Sequence, residues 1–319
     1  MKYTIIILNY NNEKTIQKCI DSAINQTYNK YNIIIVDDGS TDNSRNIINK
    51  YKKIKNISIY YKENTGVADS RNFAIEKVKT KYFTFLDSDD YIETNLLEEC
   101  EKYNNYDILE YSHCEINEKG KILKIIIKDN YRSNNGLDNL INHLYSKKQF
   151  LVPWGYIYKK ELFTKNNIKY PINYVNEDIS ITAIALYNAK KFISTSYLGY
   201  YYVQTKNSIT RNHNNELLRM ESRIYQYKFL KNYLNNKKID NDKKNKILVY
   251  YINDLIWFNS TLNRKNRKIY KKMILDNNIF ESINDSISIK IIKKTIRINI
   301  NLTRIILKFV SIFNKIRKK

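Results

Sequence analysis

At 319 residues the chain exceeds a small single domain and lies near the size at which one hydrophobic core stops growing. Hydrophobic residues make up 43% of it and only 6 Gly and 2 Pro are present, which excludes a collagen-like or disordered polymer. The formal charge of +23 fits a nucleic acid, an anionic lipid surface or a phosphorylated substrate as partner, and charge alone does not choose among them.

Cysteine usage and the N-terminus indicate the compartment. Cys19, Cys100 and Cys114 are odd in number and far apart, so they predict neither a disulfide framework nor a zinc site. Met1 leads directly into a β-rich run without a signal-peptide layout, and no uncharged apolar run has the length of a membrane span. We therefore expect a cytoplasmic protein.

The first ninety residues alternate between β-rich runs and helical periodicity, which is typical of a parallel sheet covered by helices. Helices are indicated by apolar residues at helical spacing from Ile16 to Ile24, by Ile47, Ile48 and Tyr51, and by the segment 66–77. The predicted strands are Tyr3–Leu8, Asn32–Val36, Ile57–Tyr61 and Tyr82–Leu86.

Polar residues follow three of these strands: Asn9–Asn11, Asp37-Asp38 and Asp87–Asp90. A single acidic turn is most often a solvated connection, because Asp and Gly are common in turns. In an open α/β sheet, however, ligands bind beyond the carboxyl ends of the strands. Three polar clusters at that edge predict a shared ligand-binding crevice.

Residues 91–212 show a mixed pattern, and after Asn214 the pattern is helical, so we place a domain boundary at residue 213. The predicted organisation is a domain of residues 1–213, a helical region of residues 214–285 and a tail of residues 286–319. The mixed region is predicted to contain helices at 95–103, 136–146, 159–165 and 177–187, strands at 108–114, 121–127 and 198–203, and a loop at 171–176.

The tail contains ten Lys or Arg and no acidic residue. Apolar residues such as Leu302, Ile305 and Phe309 fall on one helical face, and Arg304 and Lys308 on the other, which describes a basic amphipathic helix. This pattern favours attachment to an anionic membrane surface. The alternative is a terminal helix that packs on the protein and exposes its basic face.

The segment FLDSDD places two carboxylates, Asp87 and Asp89, on alternate residues after a strand that should be buried. Mg²⁺ and Mn²⁺ accept one or two carboxylates together with phosphate oxygens and water. Such an ion neutralises charge on a departing nucleoside diphosphate. The D-x-D pattern is common by chance, and its placement after a strand is what favours a metal site.

Six segments in order carry a resemblance to the family 2 glycosyltransferases over residues 3–210: IIILNYNNEKTIQKCIDSAINQTY, IIIVDDGSTDNS, NTGVADSRNFAI, FTFLDSDD, NEDISIT and YYYVQTKNSIT. The resemblance implies the GT-A fold, a mostly parallel Rossmann-like sheet with helices on both faces, followed here by a C-terminal helical region. It also implies a nucleotide-diphosphate-sugar donor, with a UDP-sugar favoured, a Mn²⁺ or Mg²⁺ ion, and inversion at the anomeric carbon.

The same resemblance assigns roles to residues of the crevice. Tyr10 would lie beside the donor base, and Asp38 would accept a hydrogen bond from that base. Arg71 would either sit near the diphosphate or hold the acidic residues in place. Asp87 would face the ribose and Asp89 would bind the metal.

Glu177 and Asp178 open a predicted helix, where carboxylates also complement the helix dipole. In family terms they form an E-D pair in which Asp178 is the general base, a role worth about 10²- to 10⁴-fold in rate. Additional acceptor or loop contacts are expected from Trp154, Glu177, Ser208 and Arg211, although burial of Trp154 and simple exposure of Arg211 are alternatives.

Two positions depart from the family pattern. Leu8 stands where many relatives have Pro, and Tyr156 stands where relatives of this subgroup often carry Lys, which puts contacts there in doubt. No Q-x-x-R-W motif is present, so we expect addition of single sugars rather than processive synthesis. The implied acceptor is a surface glycan or a lipid-linked glycan, at the inner face of the plasma membrane.

Two other classes of protein share part of this pattern. A nucleotidyltransferase of similar fold would need a Gly-rich phosphate loop after the first strand, and Asn9-Tyr10-Asn11-Asn12 contains no Gly. A basic nucleic-acid- or membrane-binding protein with a degenerate, non-catalytic GT-A domain would also explain the charge. Because no RRM, KH or helix-turn-helix signature accompanies the charge, we expect no nucleic-acid partner.

Overall fold

The structure is a computed structural model that describes residues 1–146, 151–205 and 216–279. These residues form two compact units. The first comprises residues 1–173 and 177–205, and the second comprises residues 174–176 and 216–279.

The first unit begins with four parallel strands in the order β3-β2-β1-β4. All seven residues of the central β1 are buried, which explains its nearly continuous run of aliphatic side chains. The four strands predicted for this region are confirmed, each one or two residues longer at an end: β1 (Tyr3–Asn9), β2 (Tyr31–Asp38), β3 (Ile57–Lys62) and β4 (Tyr82–Asp87).

Three helices connect these strands: α1 (Ile16–Ile24), α2 (Ser44–Asn49) and α3 (Val67–Lys77). Helix α1 buries Ile16, Cys19, Ile20 and Ala23, the positions that helical spacing places on one face. These side chains join the β1 and β2 side chains in one core, so the sequence pattern and the packing agree.

The sheet continues beyond β4 in the order β9-β6-β10-β5, with β7 paired to β6 and β8 to β10. Strands β6 and β10 are parallel, whereas the other pairs in this half are antiparallel. The strands of this half are β5 (Tyr91–Ile92), β6 (Ile108–Asn117), β7 (Ile122–Ile126), β8 (Tyr131–Ser133), β9 (Tyr156–Lys159) and β10 (Phe192–Gln204).

The helices of this half are α4 (Leu96–Glu101), α5 (Gly136–Tyr145), α6 (Lys160–Lys165) and α7 (Asp178–Asn188). The short strands β5, β8 and β9 lie outside the predicted set. The predicted strand 198–203 is corrected as well, because β10 has 13 residues and starts at Phe192. Pairing explains β9 and β10, because β9 fills the space between β4 and β6, and β10 runs beside β6 for most of its length.

The second unit contains three helices, α8 (Glu216–Asn235), α9 (Asn241–Thr261) and α10 (Arg264–Asp276), which pack on one another. Their buried residues recur every three or four positions, as in Met220, Ile224 and Tyr227. The partly buried Arg223 pairs with Asp254, and its guanidinium lies 4.4 Å from the Phe258 ring centre. The prediction of a C-terminal helical region is confirmed.

Among the described helices, none combines the length and the apolar character needed to cross a membrane. The predicted amphipathic tail, residues 286–319, lies outside the described residues.

Candidate active site

The loops after β1 and β2 are joined by buried polar contacts. The Asn9 amide donates to the Asp37 carboxylate at 2.9 Å and to the Ser40 hydroxyl at 3.0 Å. Asn11, at φ +51°, accepts from the Thr41 backbone N–H at 2.8 Å. Asn is one of the few residues that adopts this left-handed conformation readily. The first two polar clusters of the sequence therefore form one hydrogen-bonded framework.

Tyr10 follows β1 directly and Asp38 is the last residue of β2, so the two residues expected at the donor base lie next to these polar contacts. The Tyr10 side chain is 47% exposed, whereas Asp38 is buried. One carboxylate oxygen of Asp38 accepts from Lys62 Nζ at 2.6 Å, and the other accepts from the Gly66 backbone N–H at 2.9 Å. Asp38 thus fixes the loop before α3, the helix that carries Arg71.

Arg71 is only 5% exposed and forms an ion pair with the buried Glu177. Its second terminal nitrogen lies 3.7 Å from Asp87 Oδ1. The guanidinium also lies 5.7 Å from the Phe85 ring centre and 5.4 Å from that of Tyr170. In this structure Arg71 holds carboxylates from two distant segments of the chain, which is one of the two roles expected for it.

Asp178, the predicted base, is the first residue of α7 and follows Glu177 directly. Burial raises the pKa of Asp178 to about 6, while the Arg71 charge and the backbone N–H groups at the start of α7 oppose the rise. The charge of Asp87 raises it further. We call Arg71, Asp87, Glu177 and Asp178 the Arg71 cluster. A carboxyl group with this pKa is suited to accept a proton near neutral pH.

The turn after β4 is anchored by its last aspartate. Asp90 is 2% exposed, and its two oxygens accept from the Tyr200 hydroxyl at 2.6 Å and from the Val203 backbone N–H at 2.7 Å. Burial and the neighbouring aspartates raise the pKa of Asp90 well above its usual range. The Asp87 backbone N–H donates to the same Tyr200 hydroxyl at 3.3 Å. Tyr200 therefore connects β10 to both ends of the turn formed by residues 87–90, which we call the D-S-D-D turn.

A metal ion at this turn would take its protein ligands from Asp87 and Asp89, because both oxygens of Asp90 accept hydrogen bonds. Asp87 is 31% exposed in its side chain, and Asp89 is partly exposed. Within the described ranges, no cluster of three or more His, Cys, Asp or Glu forms a protein-only metal cage. The carboxylates fit a hard cation that takes one or two protein ligands and completes its shell with phosphate oxygens and water.

Trp154 and Tyr156, from the segment in which contacts were in doubt, are both buried. The Trp154 ring stacks on Tyr200 with 4.6 Å between ring centres. The Tyr156 hydroxyl lies 2.8 Å from His143 Nε2. Both rings are thus packed within the protein, which is the alternative considered for Trp154.

A second buried charge pair lies near Tyr156. Lys128 Nζ is 2.8 Å from Glu110 Oε1, the Ser194 hydroxyl donates to Glu110 Oε2 at 2.9 Å, and His143 Nδ1 is 4.0 Å from Glu110 Oε1. We call Glu110, Lys128, His143, Tyr156 and Ser194 the Glu110 cluster. All five are buried, and none of them was singled out in the sequence for this pairing.

The structure thus brings Arg71, Asp87, Glu177 and Asp178 together and places Tyr10, Asp38 and Asp89 on the strand-end loops. Ser208 and Arg211 lie outside the described residues. Sequence reasoning missed the roles of Asn9 and Tyr200. Asn9 lay within a predicted polar cluster, so its position was available, whereas nothing in the sequence distinguishes Tyr200 among 29 tyrosines.

The family model for glycosyl transferase family 2 matches residues 4–165, about half of the chain. The chain therefore belongs to glycosyl transferase family 2.

Curated relatives agree with this family. The chain is 29% identical over 257 residues to the glycosyltransferase YibD of Escherichia coli, covering 78% of this chain and 74% of that protein. It is 35% identical over 212 residues to the poly(ribitol-phosphate) beta-glucosyltransferase of Bacillus spizizenii, covering 64% of this chain. The match spans only 32% of that enzyme, about a third of its length.

Solved structures show the same fold. TarS of S. aureus, residues 1–349 in complex with UDP-GlcNAc, superposes with a TM-score of 0.78 at 20% identity, covering 98% of this chain and 92% of that chain. A mannosyltransferase of Pyrobaculum calidifontis in complex with GDP-Man and Mn²⁺ gives 0.56 at 14% identity, covering 100% and 88%. The GT-A fold expected from the resemblance is confirmed.

Proposed function

We propose that this glycosyltransferase moves one sugar from a nucleotide-diphosphate-sugar, with a UDP-sugar favoured, to a hydroxyl group of a surface-glycan acceptor. The observation that carries the proposal is the Arg71 cluster, which sets Asp178, with a pKa of about 6, beside Arg71 and Asp87 at the carboxyl ends of the strands. This is the edge at which open α/β sheets bind their ligands.

For the donor, the proposal assigns the base to Tyr10 and Asp38 and the ribose to Asp87. The hydrogen bonds from the Asn9 amide to Asp37 and Ser40 support this assignment, because they hold the loops after β1 and β2 at one edge of the sheet. Arg71 keeps Asp87 in place, since its guanidinium already bridges Glu177 and Asp87. The TarS complex contains UDP-GlcNAc, which favours UDP as the nucleotide.

Mn²⁺ or Mg²⁺ would be held by Asp89, with Asp87 near it, and would neutralise charge on the departing diphosphate. Asp90 would fix the turn to β10 and would not bind the ion, because both of its oxygens accept hydrogen bonds from β10. The Mn²⁺ in the mannosyltransferase complex supports the choice of ion.

In the transfer step, an acceptor hydroxyl oxygen forms a bond to the anomeric carbon while the bond from that carbon to the diphosphate oxygen breaks. The hydroxyl proton passes to an oxygen of Asp178, and the electron pair of the broken bond leaves with the nucleoside diphosphate. Attack from the side opposite the leaving group inverts the anomeric carbon. A single displacement needs one base, and Asp178, whose pKa burial raises to about 6, is suited to that role.

The acceptor class rests on the relatives. One is named a poly(ribitol-phosphate) beta-glucosyltransferase, and another, 44% identical over 110 residues, a teichoic acid poly(glycerol phosphate) polymerase of Staphylococcus epidermidis. We accordingly propose a phosphate-containing or lipid-linked surface glycan as acceptor.

The proposed domain that carries out the transfer comprises residues 1–213, and the proposed helical region comprises residues 214–285.

The basic tail of residues 286–319 would hold the enzyme at the inner face of the plasma membrane, where lipid-linked acceptors are presented. A variant with Arg304, Lys308, Lys315 and Lys318 changed to Gln tests this. We expect weaker binding to anionic vesicles because each Lys or Arg contributes about 1 kcal/mol near such a surface. Unchanged binding would assign the tail to packing on the protein.

The experiment that tests the function is a screen of the purified chain against UDP-, GDP- and dTDP-sugars with Mn²⁺. Release of nucleoside diphosphate is measured with and without a teichoic-acid-type acceptor, and the anomeric configuration of the product is read by NMR. We expect acceptor-dependent release from a UDP-sugar. No release from any donor, together with no binding of UDP, would contradict the proposal.

A further inference from the structure

The hairpin formed by β6 and β7 carries an unusual apolar surface. Ile122, Leu123, Ile125 and Ile127 are 55%, 47%, 49% and 43% exposed. The described residues include twelve exposed large apolar side chains, and four of them fall within these six positions, while the others are scattered. Single exposed apolar side chains are ordinary, whereas a contiguous group marks an interaction surface.

The end of the hairpin is held in a defined shape. The Asn117 side chain accepts from the backbone N–H groups of Lys119 and Lys121 at 3.0 and 2.9 Å, and Gly120 turns the chain at φ +78°. Every residue from Glu118 to Ile125 is exposed. Because side chains alternate along a strand, the apolar residues point to both faces of β7. The hairpin thus presents both faces of β7 and its outer edge at the protein surface.

The charge of the hairpin is one-sided. Residues 119–128 read KGKILKIIIK, with four Lys, five aliphatic residues and no acidic residue. Lys128 is buried against Glu110, so the exposed cations are Lys119, Lys121 and Lys124. Glu118 at the turn opposes them in part. An apolar surface surrounded by lysines complements a layer with anionic groups above hydrocarbon.

We propose that the β6–β7 hairpin is a membrane-contact surface that inserts its aliphatic side chains at the headgroup level of an anionic lipid layer. A fluid lipid layer can surround both faces of a strand at once. In the described part of the chain β7 pairs with β6 alone, so β7 is an edge strand there. The edge of a sheet is costly to place in hydrocarbon, which limits the hairpin to shallow insertion where water is present.

A second copy of the chain is the competing occupant. Edge-to-edge pairing of two β7 strands would bring their lysines together, and lysine on an edge strand is a common means of preventing such pairing. The charge pattern therefore favours lipid over self-association.

Binding of the hairpin to lipid requires no donor, metal or turnover, so it can be tested independently of the proposed function.

The test uses the full chain and co-sedimentation with vesicles of phosphatidylcholine, with and without phosphatidylglycerol. The double variant Leu123→Ser, Ile125→Ser should bind the phosphatidylglycerol vesicles about tenfold more weakly, since two half-exposed aliphatic side chains are lost from the contact. The matched control Ile172→Ser, Ile269→Ser changes two exposed isoleucines elsewhere and should bind as the wild type does.

A charge variant with Lys119, Lys121 and Lys124 changed to Gln should bind about 100-fold more weakly, because each of the three lysines contributes about fivefold at an anionic surface. Its control changes the exposed Lys52, Lys53 and Lys55 to Gln. Thermal unfolding midpoints equal to that of the wild type would show that the variants fold.

Wild-type binding by both hairpin variants would overturn the proposal and leave lipid binding to other parts of the chain. Sedimentation velocity decides the competing case. A wild-type dimer that becomes monomeric in the Leu123→Ser, Ile125→Ser variant would also overturn the proposal, and would identify the hairpin as a self-association surface.

Discussion

Two buried ion pairs lie in the described part of the first unit. The exposure of the polar groups around each pair distinguishes a candidate active site from a purely structural cluster. Arg71–Glu177 and Lys128–Glu110 both join a cation to a carboxylate with little exposure of either. Around Arg71, the carboxylates of Asp87, at the end of β4, and of Asp178, at the start of α7, remain partly exposed. Around Lys128, the polar side chains of the Glu110 cluster are all buried. A buried ion pair alone therefore does not mark a site, whereas accessible carboxylates beside it do.

The largest effect should come from the accessible carboxylate. Asp178→Asn should lower the turnover number by about 10²- to 10⁴-fold because the proton acceptor is lost, with donor affinity retained. Burial raises the pKa of Asp178, so its ionised form costs stability in the folded state. The variant should therefore be at least as stable as the wild type at pH 7. Steady-state kinetics and thermal unfolding check both points, and undiminished transfer would place the base elsewhere.

The Glu110 cluster should respond in stability rather than in activity. Lys128→Met leaves Glu110 buried without its cation, which should cost about 3–5 kcal/mol in the free energy of unfolding. The control Lys102→Met breaks an exposed pair with Glu99 and should leave the free energy of unfolding nearly unchanged, because solvent screens such a pair. Urea unfolding measures both. A stable Lys128→Met protein with reduced transfer would make this cluster part of the active site.

Tyr200→Phe tests whether β10 positions the D-S-D-D turn. The substitution removes the hydroxyl that contacts Asp90 and Asp87 and keeps the ring on Trp154. We expect the KM for the donor to rise about three- to tenfold, the value of one hydrogen bond, with a smaller change in kcat. Tyr197→Phe is the control, since its hydroxyl contacts Asn95 instead. An equal rise of KM in both variants would indicate a general loss of stability.

The last prediction concerns the pH dependence of transfer. Asp178 accepts a proton only when ionised, so transfer should rise with pH up to about 6 and then level off. Below pH 6 the rate should fall about tenfold per pH unit, because the protonated fraction dominates there. The pH dependence of kcat measures this. A profile that stays flat down to pH 4 would contradict a base with this pKa.

The parallel half of the sheet was predictable because β1 and β2 are nearly continuous aliphatic runs, β3 and β4 are rich in β-branched and aromatic residues, and helix α1 has regular apolar spacing. Strand β9 was not, since its four residues lead directly into α6 and carry no turn signal. Asp87 and Asp89 could be named from their position after a strand, and Asp178 from the family resemblance. The ion pair between Arg71 and Glu177 could not, because it joins residues 106 positions apart.

The measurement that tests the central claim most directly is calorimetric binding of UDP, with and without Mn²⁺, to the wild type and to Asp89→Ala. Our account predicts that UDP binding to the wild type depends on Mn²⁺, that Asp89→Ala removes this dependence, and that the exposed-residue control Asp129→Ala retains it. Equal affinities for UDP in the wild type and Asp89→Ala, whether or not Mn²⁺ is present, would contradict the assignment of the D-S-D-D turn as the metal and diphosphate site.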